Sequence, residues 1–195
     1  MEPTTVAVLI DLVFIILWVR ILYVAVSRGI LAEIIKIAGL LAGIFFAFQY
    51  YTFSGEKLGY SIPFLGKEYF NLAAFLIIFL GTRAIFSFLG LITRLLFKSR
   101  DIAIFERWLS LFAGTVRAIL LSSVIVFAFH LSPFDLLVVQ KSRAVLFAKP
   151  APWSYLAIYR FFSTTNAKMK VNPGVEQYLD FFKPGNRVKG GGLEK

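Results

Sequence analysis

Five charged residues stand inside long apolar runs, and any intramembrane chemistry would fall to them: Asp11, Arg20, Glu33, Arg83 and Arg117. A charge held at the centre of a bilayer costs ~2.5–3.5 kcal/mol on insertion scales. Each therefore calls for a partner, a water-lined path or a short reach to the headgroups. Two carboxylates and three guanidiniums could form a polar pathway for a proton, an ion or a solute. They could also form charge pairs that fix helix packing. The absence of a carboxylate series along one face of one helix favours the packing reading. Glu33 is expected within side-chain reach of Arg117 or Arg20, and Asp11 within reach of Arg83. Arg20 and Arg28 have a further option, extending their heads to the interface while their stems stay apolar.

Other chemistry finds little support. There is no cysteine and a single histidine, His130, which argues against disulfides and typical zinc sites. His130 stands near the end of the last apolar run, where it could respond to pH. A lone interfacial histidine is more often only a polar tip. Gly190, Gly191 and Gly192 lack the strand–turn–helix setting of a phosphate loop and read as a flexible end. No Ser/His/Asp set, no pair of carboxylates of glycosidase type and no metal-ligand cluster stands out. No catalytic, cofactor-binding or metal residue is assigned, no cofactor is expected, and an enzyme is not expected.

The elements that must position the charges are membrane helices. Of 195 residues, 58% are hydrophobic and only 16% charged, against roughly 45–50% and roughly 25% in soluble domains. A bilayer accepts such apolar side chains, and helices satisfy their own backbone hydrogen bonds there. Spanning a ~30 Å hydrocarbon core takes ~20 apolar residues. Four stretches qualify: Val6 to Val26, Ile30 to Phe53, Phe70 to Phe97 and Trp108 to Leu131. The sequence therefore predicts an all-α integral membrane protein. The first stretch lacks a preceding positive region and an A-x-A site, and is expected to be retained rather than cleaved. Ser27-Arg28-Gly29 joins the first two stretches so tightly that they form either an antiparallel hairpin or a span and a re-entrant segment. Ser54 to Tyr69, with Gly55, Gly59, Pro63 and Gly66, reads as a loop. Tyr50, Tyr51, Tyr60, Tyr69 and Trp108 fall near expected helix ends, as an aromatic belt requires.

Beyond Leu131 the pattern becomes amphipathic. Ser132-Pro133-Phe134-Asp135 has the form of a helix start. Pro150 and Pro152 break that segment, and Trp153 to Phe162 forms another. Both are short enough to be placed at the membrane surface. The expected organisation is a transmembrane domain over residues 1–131, interfacial helices over 132–165, and a polar, largely flexible tail over 166–195.

Small residues repeat at four-residue spacing in two spans: Gly39, Gly43 and Ala47 in the second, and Ser110, Gly114, Ala118 and Ser122 in the fourth. Such stripes let helix backbones approach closely. They mark packing seams, either within the chain or between copies. Lysine and arginine concentrate in the first and third connections (Arg28 with Lys36 close by; Arg94, Lys98, Arg100 and Arg107). The positive-inside rule puts those connections in the cytoplasm and both termini outside. Lys141, Arg143 and Lys149, soon after the last span, pull the other way. The formal net charge of +10 suits anionic headgroups. With its basic residues scattered among apolar runs, the chain is not expected to bind nucleic acid.

One ordered constellation is more specific. Asp11 begins the first span, Arg28-Gly29 close it, Glu33 follows, and Gly39 and Gly43 come next. Then Glu106-Arg107-Trp108-Leu109 precede Gly114 and Arg117. This resembles the CvpA family, the colicin V production proteins of bacterial inner membranes. That family has an Asp, an Arg-Gly, a Glu and small residues in its first hairpin, then Asp-Arg-x-Leu-Gly and Gly-x-x-Arg-Gly entering the fourth span. Here Glu106 replaces Asp, Ser110 replaces Gly, and Ala118 replaces the last Gly. Lys141-Ser142 followed by Pro150 is similar to the family's post-membrane segment, so the resemblance covers about residues 5–150. It implies a four-span inner-membrane protein required for toxin production or export, or more broadly for envelope upkeep, working through other membrane or secretion proteins or a homo-oligomer. A related four-helix module precedes a serine protease domain in some bacterial proteins, but that activity is not expected of these 195 residues. A small oligomeric channel or transporter is the alternative.

Overall fold

The computed structural model describes residues 3–28, 30–61, 69–96, 104–132, 146–164 and 170–181. Their regular structure is helical apart from short turns. The elements are α1 (Pro3–Arg28), α2 (Ile30–Ser61), α3 (Phe70–Leu96), α4 (Ile104–His130), α5 (Pro150–Ser163) and α6 (Pro173–Phe181). The first four are each long and apolar enough to cross a membrane. Past Pro3, which opens α1, no proline falls inside any of them, and Pro150 and Pro173 open the two short helices. Proline is tolerated there because the first N–H groups of a helix have no intrahelical partner. The protein is thus an all-α membrane protein. Lipid takes the outward side chains, such as Val13, Ile16 and Val19 of α1 and Ile77, Leu80 and Ile85 of α3, all exposed.

The helices pair in an order that the linkers do not suggest. Although a single residue separates α1 from α2, the two form no close hairpin; α1 packs chiefly against α4, and α2 against α3. Small residues account for this. Both pairs run antiparallel, with Gly39 against Phe86, Gly43 against Phe79 and Gly114 against Ala25. A Cβ on Gly39 would stand 2.5 Å from the Phe86 Cβ, and one on Gly114 would stand 2.5 Å from the Ala25 Cβ. Ala47, Ser110, Ala118 and Ser122 are fully buried, and Trp18 Nε1 donates to Ser122 Oγ at 2.9 Å across the α1–α4 seam. Both stripes therefore pack, at these contacts, against other helices of the same chain.

The α2 helix differs from expectation in length. It is one continuous helix of 32 residues, about 48 Å at 1.5 Å per residue. The re-entrant alternative does not apply, and part of the expected loop from Ser54 is helix down to Ser61. Gly55 and Gly59 sit in this extension because Asn71 and Phe70 of α3 press directly on them. That close approach outweighs the weak helix propensity of glycine. Tyr51 accordingly belongs to the core rather than to an interfacial belt, with 2% of its surface exposed.

Candidate functional site: a buried ion cluster and a docked C-terminal segment

Glu33, in the first turns of α2, is fully buried. Its Oε2 lies 2.5 Å from Arg117 Nη1 of α4, and its Oε1 accepts from the Lys36 ammonium one turn along α2. Arg117 Nη2 also donates to the Ile21 carbonyl of α1 at 3.3 Å. Arg83 Nη1 of α3 donates to the Lys36 carbonyl at 3.0 Å. One carboxylate and three cations thus tie together all four long helices. The ridge geometry explains the meeting: the Gly114–Ala25 contact brings α1 and α4 together one turn below Arg117, and the Gly39–Phe86 contact brings α2 and α3 together one turn above Lys36. Buried and paired on both oxygens, Glu33 suits a clasp better than a proton acceptor. Removing one partner of such a pair costs ~3–5 kcal/mol, because a charge is left buried.

The other sequence candidates lie elsewhere. Arg83 joins the Glu33 cluster and not Asp11, because the α2–α3 pairing carries it alongside Lys36. Asp11 is half-buried on α1, while Arg20 and Arg107 are exposed. Arg28 ends α1, and its side chain lies outside the described residues. His130 closes α4 with its ring 4.7 Å from that of Tyr178. Lys141, Arg143 and the helix start at Pro133 also lie outside the described residues. Among the described residues no group of three or more His, Cys, Asp or Glu side chains could hold a metal.

Residues 10–151 match the protein family described as Colicin V production protein. The chain belongs to that family. Searches of curated proteins and of solved structures find no match. The match contains the whole ion cluster, and it ends just inside α5, at Ala151.

In this colicin V production family chain, the polar centre that sequence reasoning missed is at the opposite end of the bundle. There α5 docks on α2 and α4, with Ala151, Pro152 and Tyr155 buried. The Ala151 N–H donates to Ser123 Oγ at 2.8 Å. Tyr155 Oη donates to Gln49 Oε1 at 2.7 Å and accepts from the Asn172 N–H at 3.2 Å. Asn172 Nδ2 donates to the Phe48 carbonyl at 2.9 Å and to Thr52 Oγ1 at 3.1 Å, and its Oδ1 accepts from the Gly174 N–H at 3.0 Å. Within the stretch expected to be a flexible tail, α6 is therefore capped and anchored, and Val175 and Tyr178 are fully buried. Tyr178 Oη donates to the Ala148 carbonyl at 3.1 Å, and burial pushes its phenol above the ordinary range. Burial does the same, less strongly, to Tyr155. The available signal was Asn172-Pro173-Gly174, an N-cap followed by proline at the first helical position. The polarity of the surrounding tail hid it.

Proposed function

We propose that this protein is a non-enzymatic component of the bacterial inner membrane that assists production or export of a colicin V-like toxin, or maintenance of the envelope. It would act by binding partner proteins of the membrane or secretion apparatus, or a second copy of itself. Family membership supplies the context. The observation that carries the reading is the Glu33 cluster, whose carboxylate is held by Lys36 along α2 and by Arg117 across the α2–α4 seam. Such an arrangement makes a fixed platform and leaves the exposed apolar faces and the docked α5–α6 segment as surfaces for partners. In this reading the first and third connections face the cytoplasm and both termini lie outside, following the lysine and arginine distribution.

With no native cysteine, single cysteines at Asp11, Gly55, Lys98, Arg117 and Gly191 can be labelled from either side of intact membranes. Labelling at position 98 only from the cytoplasm, and at 55 and 191 only from outside, is expected. Toxin export should then fall with Glu33→Gln, along with in-cell cross-links to partner proteins. Full export from a strain lacking the protein would sink the proposal. The excess of cations over carboxylates in the cluster also suits a small oligomeric channel or transporter. That reading requires Arg117→Cys to react quickly with a membrane-impermeant reagent, whereas the platform reading requires it to stay silent.

A further inference from the structure

The chain leaves α4 at His130, yet by Phe147 it is back among the long helices. The Phe147 ring rests on that of Trp18, 5.4 Å between centroids, and Trp18 stands in the middle of the apolar stretch of α1, Ile10–Ser27. Ala151 bonds to Ser123, about 10 Å short of the end of α4 at 1.5 Å per residue. The rings of Tyr155 and Phe162 lie 6.1 and 5.6 Å from that of Phe45, near the middle of the apolar stretch of α2, Ala32–Tyr60. Both ends of α5 are therefore held inside the spans, short of the level where α4 stops. Its polar groups are satisfied without water. Of the first three positions, Pro150 and Pro152 carry no N–H, and that of Ala151 goes to Ser123 Oγ at 2.8 Å. The Trp153 N–H then begins the regular ladder at the Lys149 carbonyl, 3.0 Å away. The hydroxyls of Ser154, Ser163 and Thr164 donate to carbonyls of the same helix.

We propose that α5 is a re-entrant helix lying within the hydrocarbon of the leaflet on the His130 side, with Trp153, Ala157 and Phe161 against acyl chains. A helix lying among headgroups keeps a strongly polar face for water. Here one face is buried on α2 and α4, and the other exposes Trp153, Ala157 and Phe161. Arg160 is the one charged residue of α5 and falls in its last turn, where its stem can carry the guanidinium to the headgroups. Each leaflet contributes ~15 Å of hydrocarbon, enough to enclose a helix about 10 Å across. The proposal is independent of any role in toxin export, and a partner that reaches this face does so from within the bilayer.

The test uses the full chain in vesicles of phosphatidylethanolamine and phosphatidylglycerol. With no native cysteine, a nitroxide can be attached singly at Trp153→Cys, Ala157→Cys or Phe161→Cys. Leu80→Cys, on the exposed face of α3, and Tyr60→Cys, at the exposed end of α2, supply reference depths. All five positions are exposed, so the core is untouched and the melting temperature should stay at the wild-type value. Collision of each label with oxygen, which concentrates in hydrocarbon, is compared with collision with a water-soluble nickel chelate. The oxygen-to-nickel ratio at all three α5 positions should approach that at position 80 and exceed that at position 60 severalfold. Ratios equal to that at position 60 would put α5 at the surface and overturn the proposal. Low collision with both reagents would mean that protein covers this face, and would overturn the acyl-chain assignment.

Discussion

Replacing Glu33 by glutamine should destabilise the bundle far more than the loss of one surface charge would. The carboxylate is fully buried, Arg117 is 6% exposed, and Lys36 has 20% of its side-chain surface exposed. Lys36 can swing towards the interface after the change. Arg117 cannot, and loses its carboxylate partner while its bond to the Ile21 carbonyl at 3.3 Å remains. The cost is thus that of a buried charge left without its partner, ~3–5 kcal/mol, or about two to four orders of magnitude in the folded-to-unfolded ratio at 1.4 kcal/mol per tenfold. Removing both partners together, as Glu33→Gln with Arg117→Met, should be milder than the sum of the two single changes. A coupling energy above ~1.5 kcal/mol is expected, near the middle of the roughly 0.5–3 kcal/mol found for contacting residues. The assay is reversible unfolding by titrating sodium dodecyl sulfate into mixed micelles, read by tryptophan fluorescence on the four proteins of the cycle. Strictly additive effects, or a Glu33→Gln single variant as stable as wild type, would refute the clasp argument.

The glycine seams give a paired expectation. Gly39→Ala should destabilise by ~1–3 kcal/mol through overpacking, since its Cβ would meet that of Phe86 at 2.5 Å. Gly81→Ala meets nothing within 4 Å and should be neutral or stabilising by up to ~1 kcal/mol from helix propensity; the same unfolding assay ranks them. Tyr155→Phe deletes the hydroxyl shared by Gln49 and the Asn172 N–H. A cost of ~1–3 kcal/mol for the buried donor left unpaired should appear as faster proteolysis near residues 165–172 before global melting changes. Alkaline pH should act on the same segment. Burial raises the Tyr178 phenol above its ordinary value, so its contribution is complete below pH ~10 and is lost as pH rises through the folded-state value. Phenolate absorbance that lags behind model tyrosine, followed by release of α6, is the expected course, and Tyr178→Phe should reduce that lag, Tyr155 supplying part of the remainder.

Some of this protein follows from the sequence alone, because it depends only on local composition. Apolar runs of spanning length, free of internal proline, must be helices wherever lipid offers no hydrogen-bond partners. The order Asp11, Arg28-Gly29, Glu33, then Glu106-Arg107 and Arg117, carried the family resemblance without any coordinates. The rare charges in those runs identified Glu33 and Arg117 as candidates for pairing. What sequence could not decide was which helix faces which. A short linker suggests a hairpin of α1 and α2, yet side-chain volume at Gly39, Gly43 and Gly114 decides the pairing. Those contacts carry Arg83 to Lys36 and away from Asp11. The same limit hid the docking of α5 and α6. Tyr155 looks like an ordinary residue of an amphipathic helix, and Asn172 like an ordinary tail residue, until the C-terminal half of α2 presents Gln49, Thr52 and the Phe48 carbonyl at matching heights. Spacing along one chain fixes which residues share a helix face. Only packing between helices fixes what that face meets, because the meeting depends on volumes and hydrogen-bond partners far apart in sequence.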